Sequence, residues 1–545
     1  MTRIKPLLLA VVLGGAGALA LPAAELGKVM FENSGSPAAQ EPFLRGVAAL
    51  HNFFYDEAEE AFQEAQKADP GFALAYWGEA MTYNHPIWSE QDRDAALAAL
   101  QRLAPTAAER AAKAPTEREK GFLEAVEILY GEGDKDLRDA AYRNAMRALH
   151  ERYPQDLEAA SFYCLSLIGP ALTGPAGSLR ERALIQAAAI LEELFVRNRE
   201  HPGVLHYMIH AYDDPLHAPL GLRAARLYAK TAPAAHHARH MPSHIFVQLG
   251  DWPATAASNE DAWQASVDWV ARREHPIEKR DFHSLSWLLY AYLQQGRLAK
   301  ARETLKTVEG ALAESNVPRI ASAARSMEAT YLLATHGYNK ELLSEGEEPH
   351  GGHAHAGMPQ RGGNDGSVAL AVGLGALRAG DLATAQLALS KLAPAEEGGN
   401  PATRYGGAAG VAAKELAGMI QLAEGKTEDG LKLLAEAAEL EARMPQPMGP
   451  PVPIKPAQEL YGEALLGLGR AEEAAAQFDQ ALLRMPNRTA SLLGSARAAV
   501  KLGKTDVART RYAALAAIWK DADPELAEAR EAKGYRGEES RPAAR

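Results

Sequence analysis

A spacing of 34 residues recurs along this chain and constrains its fold more than any other feature. Over 455–488 it places Gly462, Gly469, Ala474, Phe478, Ala481 and Pro486, and one step further on it places Ala496, Gly503, Ala508 and Tyr512. Near the other end, a unit beginning at 39 carries Gly46, Ala58, Phe62, Ala65 and Pro70. Looser copies begin near 202 (Tyr212, Pro233), 236 (Gly250, Ala262), 282 (Tyr292, Gly296, Ala301), 366 (Gly373, Gly380, Ala385) and 411 (Gly418, Gly425, Ala437). Small residues let two helices approach closely, a glycine can end the first helix, and a proline stops the second. A unit this short cannot bury its own apolar face, so its neighbours must stack on it. A chain of 545 residues, too long for one compact core, is thereby expected to be an array. The stretches 116–152 and 155–200 are helical by pattern but depart from the repeat length.

In the unit 455–488 the full order is small at position 8, Gly at 15, Ala at 20, aromatic at 24, Ala at 27 and Pro at 32, and the other units carry parts of it. This order resembles the tetratricopeptide repeat (TPR) family, closely at 39–72 and 455–488 and more loosely between. The resemblance implies an all-α, right-handed superhelical solenoid of antiparallel helix pairs, with a concave groove for a protein, peptide or small ligand. Ala and Leu dominate the apolar residues, as such helices require. Two segments interrupt the pattern. Residues 341–366 are Gly- and His-rich and read as an exposed loop, and six prolines within 445–456 read as an extended linker. The expected organisation is an array over 25–340, repeats over 367–444, a C-terminal pair over 457–533 held slightly apart by the linker, and a charged flexible tail, 534–545.

The first 24 residues read as a signal peptide: Arg3 and Lys5 precede the uncharged apolar run Leu7 to Leu21, and small residues follow. That run is short for a membrane span, so an exported, periplasmic or secreted TPR protein of bacterial type is expected, with no stable span after cleavage. The net charge of −12 gives no general attraction for nucleic acid. The single cysteine, Cys164, allows no intrachain disulfide and is expected in the core.

Histidine distribution points to chemistry. Ten of the 17 histidines fall between 201 and 283. His206 and His210 form an i,i+4 pair on one helix face, and His240 and His244 form another one repeat later. Equivalent positions in neighbouring repeats stack, so the four imidazoles are expected on one surface, with Asp213 and Asp214 one turn beyond. Neutral imidazoles at this spacing can ligate zinc or copper, and carboxylates can complete the shell or hold an imidazole N–H from behind. In the register of the TPR resemblance, His237, His283, His51, His85, Trp77 and Met81 would also line the groove. His350, His353, His355 and Met358 form a second candidate metal site in the Gly-rich loop.

No phosphate-binding glycine loop follows a strand, and His206-Tyr207-Met208-Ile209-His210 lacks the glutamate of the HExxH zinc-protease motif. Co-chaperone TPR domains that clamp C-terminal carboxylates carry Lys and Asn where this chain carries histidines. Three readings follow: a binding protein whose groove holds a transition metal or a ligand, a metal-dependent enzyme using a groove His/Asp site, and an interaction scaffold without metal.

Overall fold

The computed structural model describes residues 23–174, 177–343, 366–392 and 407–536. These residues are overwhelmingly α-helical. Among them the only strands are the two-residue segments Asn84–His85 and Glu90–Gln91, paired antiparallel. Successive helices pack as pairs, for example Pro37–His51 with Tyr55–Ala68, Pro202–Ala211 with Ala218–Thr231, and Thr489–Lys501 with Thr505–Ile518. The chain is therefore an all-α, TPR-like helical solenoid.

The repeated glycines and aromatics explain the stacking. Phe62, fully buried, projects from Tyr55–Ala68 against its partner helix and against the first helix of the following unit, Ala73–Thr82. A Cβ on Gly46 would lie 2.8 Å from the Phe62 ring, and one on Gly78 would lie 2.2 Å from it. The same lock recurs near the other end, where Phe478 meets Gly462 at 3.0 Å and Gly494 at 2.2 Å by the same measure. Only a residue without a side chain admits a ring that close. Helix starts are set by carboxylates: Asp92, Asp156, Asp251, Asp281 and Asp381 each accept a hydrogen bond from a first-turn amide. Gly469 and Gly503 end helices at φ +80° and +70°, a conformation that disfavours side chains. Cys164 is buried in the helix Leu157–Thr173.

The proline-rich segment, expected as a spacer, instead folds inward. Pro445, Pro447, Gly449, Pro451 and Pro453 are buried. Gln248 Nε2 donates to the Pro447 carbonyl at 2.6 Å and Arg484 donates to the Pro445 carbonyl at 2.7 Å. Gly449 lies so close to the Trp287 ring that a Cβ would come within 2.2 Å of it. Proline has no N–H to satisfy, so an extended run of prolines can be buried if its carbonyls find donors. Lys455 anchors the far end of this strap, reaching Glu459 and Glu463 at 2.9 and 2.7 Å. Glu459 also pairs with Arg488 at 2.8 and 3.0 Å.

The C-terminal repeats turn back onto the central ones rather than standing apart. Trp252 Nε1 donates to the Asn487 carbonyl at 2.9 Å, Arg488 to the Tyr290 hydroxyl at 2.8 Å, and Thr489 N to Gln294 Oε1 at 3.0 Å. The central repeats are thus covered by distant sequence. Among the described residues, no helix is long and apolar enough to cross a membrane.

Candidate metal centre

The central histidines converge, though as two triads rather than one set of four. The first is His206, His210 and His237; the second is His240, His244 and His283. His206 and His210 stand on Pro202–Ala211, whose first turn begins with a proline and whose residues are all buried. His237 and His240 come from the short helix His236–His240, His244 from Pro242–Leu249, and His283 from the first turn of Phe282–Gln294. The i,i+4 spacing brings the Nε2 atoms of His206 and His210 to 3.1 Å, and those of His240 and His244 to 3.2 Å. His237 Nε2 lies 3.2 Å from His206 Nε2. The triads adjoin, with the His210 and His244 rings 5.8 Å apart and the His237 and His240 rings 6.1 Å apart.

Hydrogen bonding decides which nitrogens carry protons. His206 Nδ1 donates to the His51 carbonyl at 2.8 Å, so its Nε2 in the neutral ring presents a lone pair. His244 Nδ1 donates to the Asp213 carboxylate at 2.7 Å, and Gln248 holds the other oxygen of that carboxylate at 2.9 Å. His240 Nδ1 donates to Asn259 Oδ1 at 2.7 Å; the Asn259 amide group is itself oriented by donating to the Thr255 carbonyl at 2.8 Å. In their neutral forms, His240 and His244 therefore aim two lone pairs at one another across 3.2 Å. Two nitrogens bound to one tetrahedral ion at the usual bond length are roughly 3.3 Å apart.

The electrostatics favour the neutral form in five of these six rings. His206, His210, His237 and His283 are held well below the ordinary imidazole value, first by burial and next by a neighbouring imidazole. Burial also lowers His240, against the opposing pull of Asp281. A neutral imidazole is the ligating form.

Comparison with known proteins adds little to this geometry. No family model matches the chain, and no curated protein sequence matches it. Among solved structures, the crystal structure of the APC/C hetero-tetramer Cut9-Hcn1 aligns over 92% of this chain and 77% of that one, at 11% identity and a TM-score of 0.32.

The remaining expected residues divide. Asp213 stands behind His244, whereas Asp214 turns away, accepting from the Leu216 and His217 amides and from the His217 ring. His51 is not on an open groove wall. It is fully buried, bonded to Glu158 at 2.7 Å and to the Tyr207 hydroxyl at 2.9 Å. Glu158 also bonds His201 at 3.1 Å, and the Val204 amide donates to the other nitrogen of His201. Both rings of this third group have all their nitrogens engaged, and together they hold Glu158 well below the usual carboxylate range. These bonds hold the His51 ring, and the backbone carbonyl of the same residue accepts from His206 Nδ1. Trp77 and Met81 lie in the hydrophobic core; Trp77 packs on Phe31, Phe122 and Phe162. His85 stacks on Tyr55 with ring centres 4.0 Å apart and bonds the Thr82 carbonyl. His350, His353, His355 and Met358 lie outside the described residues.

Three contributors escaped sequence reasoning. Trp287 packs on His240, His244 and His283 at ring-centre distances of 4.8, 4.5 and 5.3 Å. Its i,i+4 spacing from His283 was a usable signal. Phe53 presses edge-on against His206 at 4.3 Å from a left-handed backbone, φ +52°, an unusual state for a bulky residue. Asn259 sits 19 residues from the histidine it orients, and nothing local marks it.

Proposed function

We propose that this chain is an exported TPR-like protein whose central repeats bind transition-metal ions, zinc or copper, one at each histidine triad. The observation that carries the reading is the pair of facing lone pairs on His240 and His244, each fixed by a hydrogen bond behind its ring. Without a cation between them, two such lone pairs repel in a buried site. With one, they are two ligands already oriented. His51 carbonyl, Asn259 and Asp213 supply the outer hydrogen bonds that ligating histidines ordinarily make. Export rests on the charged start and the apolar run of residues 1–24.

The test is elemental analysis of untagged protein purified without chelator, in parallel with His206→Ala, His240→Ala and a deletion of 349–359. Near two equivalents of metal are expected in the parent and in the loop deletion, and a loss of about one equivalent in each point variant. Metal unchanged by both histidine substitutions would refute the assignment. Metal lost with the loop would move the site there.

A further inference from the structure

The metal centre sits against a cavity of about 360 Å³. Four of the six imidazoles, those of His210, His237, His244 and His283, reach its wall, whereas His206 and His240 lie fully buried behind them. The opposite wall is the proline-rich strap, which contributes Pro447, Met448 and Pro451. Between them stand Trp88, Trp287, Met241 and Met327. A site that only stored metal would gain nothing from a cavity at its mouth. Three protein ligands on an ion leave at least one coordination position for another molecule. Both triads open onto this cavity, and His237 also borders a smaller one of about 70 Å³.

We propose, building on the metal assignment above, that the centre and cavity together form a binding site for a small, mainly apolar organic molecule carrying one metal-coordinating head group. The volume matches pockets that enclose such compounds. The aromatic and methionine walls favour a flat or aliphatic body. The strap occupies the face that an open groove would offer to an extended peptide, so the occupant is a compact molecule. The head group is a Lewis base, an oxygen, nitrogen or sulfur donor, because it meets the imidazoles of the triads; the rest of the polar lining is the hydroxyls of Thr173, Ser286, Tyr290, Ser326 and Thr330 and the charged Glu441 and Arg484.

The experiment uses full-length protein loaded with cobalt(II), whose visible absorption reports coordination. Acetohydroxamate and benzohydroxamate serve as probes with the same head group and different bodies. Both should perturb the cobalt spectrum, with benzohydroxamate binding about tenfold or more tightly because its ring enters the apolar cavity. Met448→Trp, which fills the cavity from the strap, should keep the cobalt content and unliganded spectrum, weaken benzohydroxamate about tenfold, and leave acetohydroxamate within about threefold. Cobalt bound at two equivalents with a spectrum indifferent to both probes would overturn the proposal while leaving the metal assignment intact. Equal affinity for the two probes would overturn it as well, since the cavity would then contribute nothing. Failure to bind cobalt would refute the metal assignment, and this proposal with it.

Discussion

Asn259→Leu gives the most direct test of how the second triad is held. The substitution keeps the volume and removes the acceptor that receives His240 Nδ1–H at 2.7 Å. In the metal-free protein the ring has an escape. It can move its proton to Nε2 and donate to the His244 lone pair 3.2 Å away, which recovers one hydrogen bond. In the metal-bound protein there is no such escape. Nε2 must ligate, so Nδ1–H keeps only the long 3.5 Å contact with Ser243 Oγ, at a cost of about 1–3 kcal/mol. The penalty therefore falls mainly on the metal-bound state. Loss of an outer hydrogen bond of this kind weakens metal binding by about 10–100-fold, or about 1.4–2.8 kcal/mol. Competition against a calibrated chelator would read the affinity directly. Denaturant unfolding with and without saturating metal should show the metal-induced stabilisation shrinking by the same amount, with the metal-free protein changed less. If the variant bound metal as tightly as the parent, the tautomer argument would be wrong. Equal destabilisation of both forms would make Asn259 a packing residue and nothing more.

Three further outcomes follow from the frame around the site. Glu415 is fully buried with neither carboxyl oxygen hydrogen-bonded, and burial, then the nearby Glu441, raises its folded-state pKa well above 4.5. The folded state thus holds a proton that the unfolded state releases, so stability falls as pH rises from about 4.5 toward the folded value. Glu415→Gln should gain on the parent across that window in denaturant titrations, and a pH-independent difference would contradict this. Arg488→Met strips a buried guanidinium from the buried Glu459 carboxylate and should cost about 3–5 kcal/mol, measured by chemical denaturation. Gly78→Ala forces a methyl into the Phe62 ring and should lower stability by about 1–3 kcal/mol. Adding Phe62→Leu should restore part of the loss, and a second substitution that only worsens the melt would discount the ring–glycine lock.

Much of the fold was legible because repeat stacking is a local code. Gly46, Phe62 and Gly78 lock one junction, Gly462, Phe478 and Gly494 another, and the glycines at helix ends are required by backbone geometry that the next residues already imply. The histidine pairs were legible for the same reason, since i,i+4 spacing and a 34-residue step both survive into space. Register alone puts Trp77, Met81 and His51 on the groove. Packing against non-consecutive helices buried them, and no repeat position encodes that.

By itself, then, the sequence determined the helix pairs, their stacking, and the presence of two imidazole pairs within one repeat of each other. Tertiary structure decided how those imidazoles divide, by bringing His237 to the first pair and His283 to the second. It decided which nitrogen carries the proton in His206, His240 and His244, through His51, Asn259 and Asp213, which are partners chosen by contact rather than by spacing. The strap at 445–456 shows the limit most clearly. Its prolines dictate an extended backbone without donors, and such a segment serves equally as a spacer in water or a buried wall. Only the return of the C-terminal repeats onto Trp252, Tyr290 and Gln294 brings it over the histidines, because where a donor-free chain runs is set by the surfaces at its two ends.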